Sequence, residues 1–196
     1  MSKLSYYLKN KKVKLLLPRI IEFEWEKHKS DKRKETLNTL KVSLNIAKAL
    51  LQDEVINLEN EHLASKLVDR HYSILNSFFD LYARSVENTS DESELIRRAI
   101  EKIPPFHRNL NQMADTIFLL TVKEFCLKNK EDSILFVSND GKAFDSFRKE
   151  NFALKNEFSA FSNFKPLVFD EKNEAEILIK LLRNLEEQFG PVSSTF

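Results

Sequence analysis

Three carboxylates, Glu24, Asp115 and Asp140, stand at the ends of apolar runs, where an acid is most costly. Asp115 precedes by one turn the helical stripe Phe118, Leu119, Val122 and Cys126 and shares its face. Asp140 follows Ile134-Leu135-Phe136-Val137 after Ser138 and Asn139, and Gly141 comes next. Glu24 comes one turn after Ile20 and Ile21, so among Glu22, Glu24 and Glu26 it is the one placed inward. A carboxylate so placed costs several kcal/mol unless something neutralises it. A divalent cation is one such partner: Mg²⁺ or Mn²⁺ takes oxygen ligands at roughly 2.1 Å and lets water or a substrate phosphate complete the octahedron. Each acid also has a plainer reading. Asp115 suits a helix's first turn, Asp140 a turn before glycine, and Glu24 a salt bridge. Their joint placement favours the metal.

Other chemistries are poorly supplied. His28, His62, His71 and His107 show no metal-ligand spacing. The chain has two glycines, Gly141 and Gly190, which removes phosphate-cradling glycine loops and the Gly-x-Ser-x-Gly elbow. The single cysteine, Cys126, excludes an internal disulfide and a thiolate zinc cluster, and fits a reducing, cytoplasmic setting. With 31 Lys+Arg against 30 Asp+Glu, bulk charge does not announce a nucleic-acid binder. The basic run Lys27 to Lys34 reads first as a solvated helix face, with a place at the rim of an acidic cleft as the alternative. No stretch approaches the ~20 apolar residues that span a bilayer, and the start of the chain lacks an apolar signal segment.

The elements that must position the acids follow from periodicity and punctuation. A short basic helix at 3–12 leads to a strand at 13–17 ended by Pro18, then to a helix at 19–51. A second helical region spans 54–87, with Leu63, Leu67, Tyr72, Leu75, Phe78, Phe79 and Tyr82 on its apolar face. Thr89 and Glu92 have the form of a capping box for a helix running to Ile103. A helix from Ala114 to Lys128 is followed by the strand 134–137, whose continuous apolar run suits a covered parallel sheet. In such sheets ligands collect beyond the strands' carboxyl ends, where Asp140 sits. Residues 151–163 read as an aromatic loop, 166–169 as a strand, and Asp170 as the cap of a helix to Phe189, closed by Gly190 and Pro191.

In this order the elements resemble the PIN domains, small α/β ribonucleases found in bacterial toxin–antitoxin pairs and RNA-processing factors. Val13-Lys-Leu-Leu-Leu-Pro-Arg-Ile-Ile-Glu-Phe-Glu24-Trp is similar to that family's strand-to-helix entry with its inward glutamate. Met113-Ala-Asp115-Thr-Ile-Phe-Leu-Leu is similar to the segment with its helix-start aspartate, and Leu135-Phe-Val-Ser138-Asn-Asp140-Gly-Lys-Ala-Phe144 to its strand, hydroxyl residue, aspartate and closing phenylalanine. The resemblance implies a helix-rich α/β, three-layer fold over residues 1–196, with a small parallel sheet and a helical insertion at about 30–103. It implies a Mg²⁺ or Mn²⁺ site made by Glu24, Asp115 and Asp140 that cleaves RNA. Ser138 or Asn139 would orient a ligand or water, and Arg108 or Lys142 would steady phosphate. RNA is the implied partner, with a protein partner or antitoxin and self-association as further expectations, and no membrane. One departure bears on activity: PIN domains open with a strand ending in aspartate, and Met1-Ser-Lys-Leu-Ser-Tyr-Tyr already reads as the helix that follows it. Asp145 is the nearby acid that could stand in. The rival reading is a degenerate, non-catalytic helical module that binds a protein.

Overall fold

The computed structural model describes residues 3–51, 60–106, 112–140, 143–147, 153–169 and 174–191. Arg108 and Lys142, the expected phosphate contacts, lie outside these, as do His107, Gly141 and Asp170. The chain divides into two compact units, residues 22–84 and residues 1–21 with 85–196.

The first unit, which overlaps the expected insertion, is an antiparallel pair of helices. It holds most of α2 (Arg19–Leu51) and all of α3 (Asn60–Tyr82). Trp25 stacks on Tyr72 with ring centroids 5.8 Å apart and tilts against Phe79 at 6.5 Å. Arg33, two turns further along α2, pairs with Asp69 on α3. Advance along α2 therefore matches retreat along α3. Ala64 and Val68 are buried on the α3 face that also carries Tyr72.

The second unit carries the sheets. It opens with α1 (Lys3–Lys9) and β1 (Leu15–Pro18), and β1 forms a two-stranded sheet with β2 (Ala83–Val86). Residues 83–86 were expected to continue a helix. The correction has a non-local cause, the pairing with β1, which overrides a helical pattern set by Phe78, Phe79 and Tyr82. Beside this sheet Arg19 bonds both Glu87 carboxylate oxygens at 3.1 Å, and Asn88 Oδ1 accepts from the Ile20 N–H at 2.9 Å.

Next comes α4 (Glu92–Glu101). Its cap is Asp91, whose side chain accepts from the Glu94 N–H at 2.9 Å, rather than the expected Thr89–Glu92 box. Thr89 instead accepts from the Asp91 N–H, and its own N–H goes to Thr121 Oγ1. Then α5 (Met113–Lys128), β3 (Ile134–Ser138), a 3-10 turn (Asp145–Phe147), α6 (Ala153–Phe158), β4 (Phe164–Val168) and α7 (Glu174–Phe189) complete the chain. The helix α6 replaces part of the expected loop because Leu154 and Phe158, four residues apart, both enter the core.

β3 and β4 pair in parallel with Ile134 opposite Phe164 and Ser138 opposite Val168, the small parallel sheet expected of a helix-rich α/β fold. Around it Leu119, Phe136, Ala143, Phe144, Phe147, Leu154 and Phe158 form the core, with Phe118, Val122, Phe161, Phe164 and Val168 packed on it. Phe136 is the hub: Phe118, Phe144, Phe147 and Phe164 all lie with centroids within 5.9 Å of its ring. Each such phenylalanine contributes roughly 1.5–3 kcal/mol by leaving water, so this cluster fixes how α5 meets β3.

Candidate functional site

Asp115 is half-buried in the first turn of α5, where the macrodipole favours its anionic form. Three residues on, Phe118 stacks on Phe136 at 5.1 Å and meets Phe144 edge-on at 6.2 Å. Asp140 sits just past the carboxyl end of β3 and is exposed. Its Oδ1 accepts from the Ala143 N–H at 2.8 Å, its carbonyl accepts from the Phe144 N–H at 3.1 Å, and its own N–H goes to Ser138 Oγ at 3.1 Å. Asp140 is thus also a turn-forming residue, and the hydrogen bond from Ala143 holds its side chain in one orientation. Asp115 precedes Phe118 by three residues on α5, and Asp140 precedes Phe144 by four in the turn after β3.

Glu24 belongs to the helical-pair unit. Its carboxylate is bonded within its own helix, by Lys27 Nζ at 3.4 Å and His28 Nε2 at 3.2 Å. The basic run that begins there is neutralised locally as well: Lys29 pairs with Glu26, Lys32 with Glu35 and Lys34 with Asp31. Ser138 is half-buried, Asn139 is exposed, and Asp145 lies in the 3-10 turn.

Among the described residues no three His, Cys, Asp or Glu side chains gather closely enough to hold a metal ion. A closed protein cage is not what Mg²⁺ needs, since one or two carboxylates plus substrate phosphate commonly suffice.

Sequence reasoning missed two groups near these elements. Gln112 caps α5 without using its side chain, is 3% exposed, and its Oε1 has no hydrogen-bond partner among the described residues. Ser146, in the 3-10 turn, is buried with its Oγ in the same condition. Neither is legible from spacing.

A cleft of about 400 Å³ lies elsewhere on α5, lined by Asp91, Glu94, Leu120, Lys123 and Glu124 among others. Its charges are satisfied by their neighbours. Arg97 and then Arg98 hold the Glu94 carboxyl below its ordinary range against the opposing effect of burial. The Lys128 ammonium does the same for Glu124. Lys123 bonds Glu157 at 2.5 Å.

A family model described as PIN domain matches residues 1–144, nearly three quarters of the chain. This chain belongs to the PIN domain family. No curated protein and no solved structure matches it. The PIN match takes in α5, β3 and the turn through Phe144, so both Asp115 and Asp140 fall inside it. β4, α6 and α7 lie beyond the matched residues, yet β4 supplies the parallel partner of β3 and α6 closes the phenylalanine core. PIN domains are a nuclease-like family, generally metal-dependent and RNA-binding. No helix among the described residues is long and apolar enough to cross a membrane.

Proposed function

We propose that this PIN domain is a metal-dependent endoribonuclease whose divalent ion, Mg²⁺ or Mn²⁺, would be held by Asp115 and Asp140. What supports the reading is that Asp140 follows the carboxyl end of β3 and Asp115 lies in the first turn of the helix whose Phe118 packs on Phe136 of that strand and on Phe144. When bound, the ion supplies Lewis acidity and positive charge at the scissile phosphodiester. The chain's own contribution is placement. Asp115 stands in the first turn of α5, where the helix dipole suits negative charge, and the Ala143 N–H holds the Asp140 side chain in one orientation just past the strand end. Ser138 Oγ accepts the Asp140 N–H and so sets the turn that aims it. Glu24 is proposed as a further ligand, Asn139 as a residue orienting water, and Arg108 and Lys142 as phosphate contacts. A protein partner, an antitoxin among them, is a further proposal on the same family ground, as is a cytoplasmic setting.

The deciding experiment is cleavage of a single-stranded RNA by the pure protein with Mn²⁺, with EDTA, and with Asp115→Asn or Asp140→Asn. Cleavage should require the metal. Each neutralised ligand should cost rate rather than RNA affinity, because charge at the transition state is what is lost. In a thermal melt, Mn²⁺ at a hundredfold excess over its dissociation constant should stabilise the unmutated protein by about 2.7 kcal/mol and the variants much less. Full activity in EDTA would end this mechanism. No cleavage together with indifference to Mn²⁺ would leave the non-catalytic, protein-binding module.

A further inference from the structure

Charge is distributed unevenly along this nearly neutral chain. Residues 1–21 contain Lys3, Lys9, Lys11, Lys12, Lys14 and Arg19 and no acid. The other 175 residues hold 25 Lys+Arg against 30 Asp+Glu, so a segment of +6 is set against a remainder of −5. Lys3 and Arg19 are paired, with Glu186 and Glu87. The other four crowd the turn between α1 and β1, are exposed, and have no carboxylate partner among the described residues. Lys12 reaches only the Phe189 carbonyl at the end of α7, at 3.5 Å. Basic runs elsewhere behave differently: Lys27, Lys29, Lys32 and Lys34 each have an acid on their own helix.

The backbone adds an independent observation. The Lys11 N–H bonds the Leu8 carbonyl and the Lys12 N–H the Tyr7 carbonyl, both at 3.0 Å, a helix-ending pattern with Lys11 at φ 55°. That conformation favours glycine, so the chain keeps a lysine where its backbone is strained. Of the apolar side chains of α1, Tyr7 is fully buried, Leu8 nearly so and Leu4 half-buried, so Tyr6 is the one left exposed. Tyr7 is fixed there by its hydroxyl, which donates to the Gly190 carbonyl at 2.8 Å. What the turn offers to solvent is a row of compact point charges without a fork or an aromatic face, suited to phosphates and indifferent to sequence.

We infer that the Lys9–Lys14 turn is a docking surface for the phosphate backbone of RNA, separate in sequence from the acids proposed to cut it. The ligand class rests on the nuclease reading above, but the docking itself needs neither metal nor cleavage. The test is binding of a labelled single-stranded oligouridylate in EDTA, by fluorescence anisotropy, across 50–200 mM salt. The full chain is compared with the quadruple variants Lys→Gln and Lys→Arg at 9, 11, 12 and 14. Each single-strand phosphate contact contributes about 0.7 to the slope of log affinity against log salt, so four contribute about 3. Over that fourfold salt range the unmutated chain should lose roughly 50-fold more affinity than the Lys→Gln variant, while Lys→Arg keeps the steep slope. An unchanged slope in the Lys→Gln variant overturns the inference. So does an equal loss in Lys→Arg, which would mark a structural role, or binding of phosphatidylserine vesicles lost in Lys→Gln while RNA affinity is unchanged. Failure here with Asp115-dependent cleavage intact removes only the docking surface. A reduced slope with no metal-dependent cleavage removes only the nuclease.

Discussion

Arg98 offers the sharpest test of how the sheet-bearing unit is held together. Its side chain is 1% exposed and all of its nitrogens are engaged. Nε donates to Glu94 at 2.8 Å, Nη1 to the Pro104 carbonyl at 2.6 Å, and Nη2 to both oxygens of Glu157 at 2.5 Å. One planar group therefore joins α4, the segment that follows it, and α6. Replacement by methionine keeps the volume and removes the charge. Breaking a buried ion pair from one side costs about 3–5 kcal/mol. Two features push towards the lower figure, because Glu157 keeps Lys123 and Glu94 keeps Arg97. One pushes upward, because the Pro104 carbonyl loses its donor, which costs about 1–3 kcal/mol. We therefore expect Arg98→Met to cost about 4 kcal/mol, or a fall of roughly 8–16 °C in Tm for a chain of this size. Arg98→Lys should fall between, since a single ammonium cannot reproduce the fork. The acid limb supplies a second reading. The Glu94 carboxyl is depressed by hydrogen bonds from Arg97 and then Arg98, so its stabilisation is present above its ordinary 4.5 and is lost as pH falls through its lower folded value. The gap between the unmutated protein and Arg98→Met should accordingly narrow on acidification below 4.5. Chemical denaturation followed by circular dichroism measures both effects. An Arg98→Met variant within 1 kcal/mol of the parent, with a gap insensitive to acid, would refute the account.

Two further outcomes concern single residues. Lys11 and Lys102 both end helices at φ 55°, where a lysine pays a strain of roughly 1–2 kcal/mol that glycine does not, less about 0.4–1 kcal/mol for glycine's freer unfolded chain. Lys102→Gly should therefore raise stability by about 0.5–1 kcal/mol in a thermal melt, and a fall would show that the backbone is not strained there. Burial pushes the Cys126 thiol from its ordinary 9.0 up to about 11. The folded state thus resists ionisation, stability should decline as pH rises from about 9 to about 11, and a thiol reagent at pH 8 should label the protein only in denaturant. Rapid labelling of the native chain would contradict the burial.

The parts of this fold that a reader of the sequence can recover are those with local causes. The stripe Phe118, Leu119, Val122 and Cys126 fixes α5 by its period, and the run Ile134 to Val137 fixes β3 because Asp132-Ser133 before it and Ser138-Asn139-Asp140-Gly141 after it leave it too short for a helix. The strand β2 was hidden because Ala83 to Val86 continues an aromatic helical pattern, and only its pairing with β1 reveals it. The helix α6 was hidden because two core residues in six are too few to show a period. At the site, the end positions of Asp115 and Asp140 were readable. Glu24's neighbours Lys27 and His28 were equally readable, three and four residues on, as partners for its carboxylate. The buried state of Arg98 was not, since its partner Glu157 is 59 residues away.

The parallel ladder has a consequence in time. During synthesis β3 leaves the ribosome with Phe136, Phe144 and Phe147, but Phe158 and Phe164, which complete their packing, follow only after roughly another 10–25 residues. At typical elongation rates that is an interval of about 1–5 seconds in which a strand edge is unpaired and a ring cluster is covered only from the α5 side. A nascent chain stalled near residue 150 should therefore be a chaperone client, and codons that slow translation there should lower the yield of folded protein without altering a single contact of the finished molecule.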